Sequence, residues 1–109
     1  MIEEFQRKSI YTSIADAGWK ITEVDAPELD WWAAEMWQLE STWSPVGKAA
    51  FITFLYEPES LQNVWEVRAS HDKPEDRHWN KTSCYMSLKS RWESELPIFI
   101  ECLSRLRDS

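Results

Sequence analysis

The sequence predicts an α+β fold in which an N-terminal and a C-terminal helix pack on an antiparallel sheet of about four strands, with three to five as the range. Three observations lead to this fold class. Apolar residues recur at helical spacing near both ends of the chain, the central segments have strand-like patterns, and breaker residues separate them. The 109 residues are expected to form one domain, 1–109, in the order α-β-β-β-(β)-α.

Residues 3–17 are predicted to form the first helix. Phe5, Ile10 and Ile14 give this segment one apolar side, and glutamates in its first turn suit the positive end of the helix dipole. Gly18 follows as a residue that tolerates the left-handed conformation found just after many helices.

The next segments favour β-structure. Residues 19–24 alternate, which predicts a short strand. Residues 44–47 have proline and glycine at the positions typical of a type I turn, so we expect 38–43 to pair with 48–57 in a hairpin. The pattern of residues 31–36 fits a helix and a strand equally, and we leave this segment open.

The second half of the chain is predicted to contain further strands and a helix. Residues 64–70 alternate like a half-buried strand, a charged loop over 71–80 follows, and 83–88 add a short edge strand. Pro97 lies within the helical pattern and is expected to kink the helix or to mark its start near Ser94. Five apolar residues recur at helical spacing on one side of this segment: Trp92, Leu96, Phe99, Leu103 and Leu106.

The hairpin is expected to have an apolar face towards the core and a second face with a different role. Phe51 and Trp43 are predicted to be core residues. The expected core face consists of Trp37, Leu39, Trp43, Ala49, Phe51 and Leu55. The reverse face carries Ile52, Phe54 and Tyr56, which are exposed if both helices cover the first face and buried if a helix or the segment 26–36 covers them.

Eight tryptophans could supply much of the core of so short a chain, since each indole can bury roughly 200 Å². Trp31 and Trp32 are adjacent, so their side chains diverge on a helix and oppose each other on a strand. One of the two is therefore expected at the surface. We predict a binding surface formed by Ile52, Phe54 and Tyr56 together with Trp31 or Trp32.

The net charge of −7 argues against nucleic acid and against anionic membranes as partners. The longest apolar run, 49–56, is also far shorter than the roughly 20 residues that span a bilayer. The order of elements is similar to that of double-stranded-RNA-binding domains, but their basic loops and lysine clusters are missing here. We therefore assign no family from it.

No cofactor or metal is expected. Two glycines cannot build a glycine-rich phosphate loop, and His71, Asp72, Asp76 and His78 are interpreted as a solvated charged turn. Cys84 and Cys102 lack a CxxC spacing. No leader-like segment is recognisable, so a cytoplasmic protein with free thiols is expected.

The sequence favours a non-enzymatic interaction module that self-associates or binds another protein through an aromatic surface. The first alternative is a binder of a small apolar or sugar-like ligand in a tryptophan-lined cleft. The second is a small hydrolase, for which Glu40 and Glu66 are candidate acid and base residues if they share a sheet face. Enzymatic activity is the least favoured of the three.

Overall fold

A five-stranded antiparallel sheet with two helices forms the protein in this computed structural model, which describes residues 4–25, 33–57, 60–73 and 84–108. The strands follow each other in the sheet in chain order, β1-β2-β3-β4-β5. The predicted α+β class and its terminal helices are confirmed. The elements are α1 (Glu4–Asp16), β1 (Trp19–Asp25), β2 (Ala33–Ser41), β3 (Ala49–Glu57), β4 (Ser60–Ser70), β5 (Cys84–Ser87) and α2 (Trp92–Asp108).

Two questions that the sequence left open are answered by the element bounds. Residues 33–36 belong to β2, so this part of the ambiguous segment is strand, whereas Trp31 and Trp32 lie outside the described residues. Helix α2 begins at Trp92 and continues through Pro97, so the proline does not mark its start. The helical stripe predicted for α2 contributes to the core as expected.

Both helices pack on the same face of the sheet, and the main core lies between them and the strands. Ile10 and Ile14 of α1 and Phe99 and Leu103 of α2 are buried there, but Phe5, expected on the same side of α1, is exposed. The sheet residues of this core are Trp19, Trp37, Leu39, Ala50, Ile52, Phe54, Val67, Ala69, Cys84 and Met86.

The pairing of β2 with β3 differs from the predicted one. The predicted core face combined odd-numbered residues of both strands, whereas the structure places odd-numbered residues of β2 beside even-numbered residues of β3. The Ser41 amide donates to the Lys48 carbonyl oxygen at 2.8 Å, and Trp37 pairs with Ile52. Because side chains alternate along a strand, a shift of one residue moves a whole set to the opposite face. Ile52 and Phe54 therefore face the helices.

The predicted core roles of Phe51 and Trp43 are both wrong, the first because of this register and the second because Trp43 lies outside the strand. Phe51 is half-buried on the other face, next to a small second cluster of Ala33, Met36 and Leu55. Trp43 lies beyond the end of β2 in the hairpin loop and is 54% exposed.

The two cysteines form a disulfide bond, which contradicts the expectation of free thiols. Cys84 in β5 and Cys102 in α2 are joined, with 5.9 Å between their Cα atoms. The spacing of 18 residues matches no motif from which the bond could be predicted. The two cysteines meet because α2 crosses the edge of the sheet at β5. The bond attaches the short edge strand β5 to α2.

Candidate functional site

The strand residues predicted to form a binding surface are buried. Ile52 and Phe54 have 0% exposure and belong to the core under the helices, and Tyr56 is buried as well. Of the two alternatives that the sequence left open for these side chains, burial is the one found, and the register turns Ile52 and Phe54 towards α1 and α2. Trp31 and Trp32 lie outside the described residues, so their predicted role stays a prediction.

The carboxylates considered as an acid and base pair, Glu40 and Glu66, lie far apart. Glu40 pairs with Ala49 at the start of β3, whereas Glu66 pairs with Leu55 near its end. These six steps along β3 span roughly 20 Å at about 3.3 Å per residue. Glycosidase carboxylates lie no more than about 10 Å apart, so Glu40 and Glu66 do not form such a pair.

The charged segment after β4 is only partly described. His71 and Asp72 follow the end of the strand, whereas Asp76 and His78 lie outside the described residues. Within the described part of the chain, no group of three or more histidine, cysteine, aspartate or glutamate side chains is arranged to hold a metal ion.

A cleft of about 220 Å³ lies between the last two strands and α2. Strand pairing builds it, since Glu66 lies opposite Ser87 and the Leu88 amide donates to the Trp65 carbonyl oxygen at 2.8 Å. The described residues that line the cleft are Trp65, Glu66, Tyr85, Ser87, Lys89 and Glu95.

A β-bulge places Trp65 in this cleft. Along β3, Leu55 pairs with Glu66 and Tyr56 pairs with Val64, so Trp65 is the extra residue of β4 and has no partner residue in β3. A bulge of this kind redirects a side chain out of the regular alternation. Trp65 is accordingly half-buried, whereas Val67, two residues further along β4, is fully buried.

Polar contacts hold the wall of the cleft in place. The Ser87 amide donates to Glu95 Oε1 at 3.0 Å, which joins β5 to α2. The Lys89 amide donates to Ser87 Oγ at 3.1 Å. Glu66 forms an ion pair with Arg68 at 3.1 Å. The ammonium nitrogen of Lys89 lies 5.0 Å from the centre of the Trp65 ring, within the range of a cation–π contact.

An apolar groove of about 360 Å³ continues from the cleft along β5 and α2. Tyr85 and Glu95 line both depressions, so the two adjoin each other. Tyr85 is 72% exposed and Ile98 is 68% exposed, so two large side chains on neighbouring elements border the groove and are accessible to a ligand. The other residues that line the groove are Cys84, Phe99 and Cys102, so the disulfide bond forms part of its wall.

The main chain of β5 also contributes to this surface. Strand β5 is the last in the sheet and pairs only with β4 among the described strands. In an antiparallel pair, the main-chain groups of alternate residues point away from the partner strand. The Ser87 amide points away in this manner and bonds to Glu95. The same alternation directs the main-chain groups of Tyr85 towards the groove.

Two other charged clusters are satisfied within the fold and have a structural role. Glu35, buried in β2, accepts hydrogen bonds from Arg7 of α1. Arg107 of α2 is buried and donates to Ser41 Oγ and to the carbonyl oxygen of Ala17. Neither cluster adjoins the cleft or the groove.

The cleft and the groove together form one continuous surface, which we call the β5–α2 surface.

Apart from Glu66, which the sequence suggests only as a candidate acid or base residue, sequence reasoning missed the residues of the β5–α2 surface. The alternation of residues 64–70 places Trp65 on the same side of the strand as Val67, and the bulge that changes this has no local sequence signal. Tyr85 in a short edge strand was the one available hint, because an edge strand leaves main-chain groups unpaired.

Comparison with known proteins gives no relative from which a function can be transferred: no family model, no curated protein and no solved structure is similar to this chain. No helix among the described residues is long and apolar enough to cross a membrane.

Proposed function

We propose that this protein is a non-enzymatic interaction module that binds an extended segment of a partner protein at the β5–α2 surface. The observation that carries the proposal is the continuity of the cleft with the apolar groove, bordered by the exposed side chains of Tyr85 and Ile98. Large aromatic and aliphatic residues beside a pocket are the usual anchoring points of protein interfaces.

An extended segment suits this surface better than a flat protein face. A chain that lies along an exposed strand can use its main-chain groups for hydrogen bonds, and its alternate side chains can enter pockets on one side. By alternation, the main-chain groups of Tyr85 point away from β4, its partner among the described strands. The cleft and the groove supply two successive depressions along the same strand.

Charge favours a different protein over a second copy as the partner. The chain carries −7, and both Glu66 and Glu95 line the cleft. A two-fold symmetric interface would place this surface against itself and bring these carboxylates together. Like charges across an interface oppose association, whereas a positively charged segment is attracted.

The shape of the surface favours an extended segment over the alternative of a free small apolar or sugar-like ligand. Pockets that bind small molecules usually measure about 300–1,000 Å³ and surround most of the ligand. Here the cleft of about 220 Å³ opens into the groove of about 360 Å³, so the space is divided between two adjoining depressions, which suits successive side chains of a longer ligand.

The disulfide bond supports an oxidising compartment as the place where the protein acts, in contrast to the cytoplasmic location expected from the sequence. Cytosolic thiol systems keep most cysteine pairs reduced. The Cys84–Cys102 bond lines the proposed surface. An environment in which it persists would keep β5 attached to α2.

Selection from a displayed library of random linear peptides tests the proposal. We expect selected peptides to bind the wild-type protein and to lose about tenfold or more in affinity with Tyr85→Ser or Ile98→Asp, since each change removes an anchor. Val46→Ser is the matched control, because Val46 is equally exposed but lies in the β2–β3 loop.

Three outcomes would contradict the proposal, provided that circular dichroism shows folded variants. The library yields no specific binders, the selected peptides bind the Tyr85 and Ile98 variants as well as the wild type, or only the Val46 variant loses binding. A dimer in sedimentation experiments that Tyr85→Ser dissociates would replace the partner segment by a second copy.

A further inference from the structure

The cleft beside Trp65 already contains a positively charged group, the ammonium group of Lys89. The ammonium nitrogen of Lys89 lies 5.0 Å from the centre of the Trp65 ring. An indole face attracts cations at distances up to about 6 Å, and it does so most strongly of the aromatic side chains. The contact with Lys89 thus indicates that this part of the surface favours a positively charged group.

The other residues of the cleft have the same preference. Carboxylates of Glu66 and Glu95 line it together with the hydroxyl-bearing side chains of Tyr85 and Ser87. All of these groups can accept hydrogen bonds, and carboxylates attract positive charge, as the ion pair of Glu66 with Arg68 at 3.1 Å illustrates. Lys89 is the one cationic side chain among the described residues of the lining.

We propose that the cleft binds a basic side chain of the partner segment, with arginine preferred, and that Lys89 occupies this position until the partner arrives. The proposal rests on the proposed function and names the chemical class of the anchor. Arginine fits best, since its planar guanidinium stacks on an indole and presents several donors to carboxylates at once.

Lys89 is well placed to leave the cleft. The residue is exposed and follows β5, and its main-chain amide is held by Ser87 Oγ at 3.1 Å. The ammonium group lies at the end of a flexible four-carbon stem, so it can swing into water while the backbone stays in place. An incoming guanidinium then takes over the contact with Trp65.

This exchange has a measurable consequence for affinity. A site that its own side chain occupies for part of the time binds an outside ligand with an affinity reduced by that fraction. Removing the Lys89 ammonium group should therefore strengthen the binding of a guanidinium compound. The gain in affinity should exceed the gain obtained by removing another positive charge near the cleft.

The test is a titration followed by NMR, with N-acetyl-arginine amide as the probe. N-acetyl-citrulline amide has nearly the same shape without the charge and serves as the matched compound. The indole N–H signal of Trp65, identified by its loss in Trp65→Phe, reports occupancy of the cleft. The proteins compared are the wild type, Lys89→Met and Arg91→Met, since Arg91 is an exposed cation two residues away from Lys89.

We expect the arginine compound to shift the Trp65 signal and the citrulline compound to do so about tenfold more weakly. Lys89→Met should raise the affinity for the arginine compound about three- to tenfold, and Arg91→Met should change it less than twofold. Equal binding of the two compounds, or equal effects of the two substitutions, would overturn the inference.

The outcome also separates this inference from the proposed function. If library peptides bind through Tyr85 and Ile98 but the arginine compound leaves the Trp65 signal unmoved, the basic anchor is wrong and the peptide-binding module stands. If the arginine compound binds at Trp65 and no peptide is selected, the cleft binds a cation but the module as proposed is wrong.

Discussion

The guanidinium of Arg107 lies against the indole ring of Trp43, with 5.1 Å between the guanidinium carbon and the ring centre. The Trp19 ring lies 4.5 Å from the same carbon. Arg107 also donates to the carbonyl oxygens of Ala17 and Gly18 and to the side chain of Ser41. One side chain near the C-terminus therefore connects α2 with the α1–β1 turn and the β2–β3 hairpin.

We expect Arg107→Ala to lower the free energy of unfolding by about 2–4 kcal/mol, because buried acceptors lose a charged donor and two indoles lose their packing partner. The matched control is Arg105→Ala on the same helix. Arg105 forms an exposed ion pair with Glu101, so its loss should cost under about 0.5 kcal/mol. Urea denaturation measures both, and similar losses would contradict the structural role of Arg107.

Gly18 is the position where an added methyl group should do the most damage. Its φ angle is 87°, and a Cβ atom there would lie 2.2 Å from the Trp43 ring. Gly47 has a similar φ of 89°, but its nearest contact would be a Glu40 oxygen at 3.9 Å. An alanine at either position would therefore adopt an unfavourable positive φ, but only at Gly18 would its methyl group also overlap with a neighbouring side chain.

Gly47→Ala should therefore destabilise the protein by about 1–2 kcal/mol, the cost of the left-handed conformation alone. Gly18→Ala should cost clearly more, because the Trp43 ring must also move away from Arg107. Adding Trp43→Ala should make the Gly18 substitution less harmful. Thermal unfolding of the four variants checks this, and an unchanged effect in the Trp43→Ala background would show that the ring is not the obstacle.

Phe54 and Phe51 are expected to differ in their contribution to stability because they lie on opposite faces of β3. Phe54 is fully buried beneath the helices, so Phe54→Ala should cost about 3–5 kcal/mol. Phe51 is half-buried, and Phe51→Ala should cost about 1–2 kcal/mol, since part of its ring already contacts water. The reverse order in urea denaturation would restore the register predicted from the sequence.

Reduction of the Cys84–Cys102 bond should destabilise the protein by about 3 kcal/mol, the value expected when a loop of this length is opened in the unfolded chain. The double variant Cys84→Ser/Cys102→Ser provides the control, because dithiothreitol should not change its unfolding. Mass spectrometry under non-reducing conditions shows whether the bond is present. Two free thiols in protein purified under oxidising conditions would contradict the pairing.

The sequence determined the elements of this fold because their signals are local. The stripe of apolar residues in α2 predicted a helix by its spacing, and in the structure its residues lie in the core or pack against it. Gly18 predicted the end of α1 through its conformational freedom, and it has a positive φ. The net charge, likewise, needs only the composition.

Only the tertiary structure decided which face of the sheet is covered and where the candidate site lies. The apolar run of β3 has hydrophobic residues on both faces, so its pattern cannot distinguish Phe51 from Phe54; the pairing across the hairpin makes that choice. The β5–α2 surface combines a bulge at Trp65, an edge strand and a disulfide bond. Each depends on contacts between segments distant in the chain, which local periodicity does not encode.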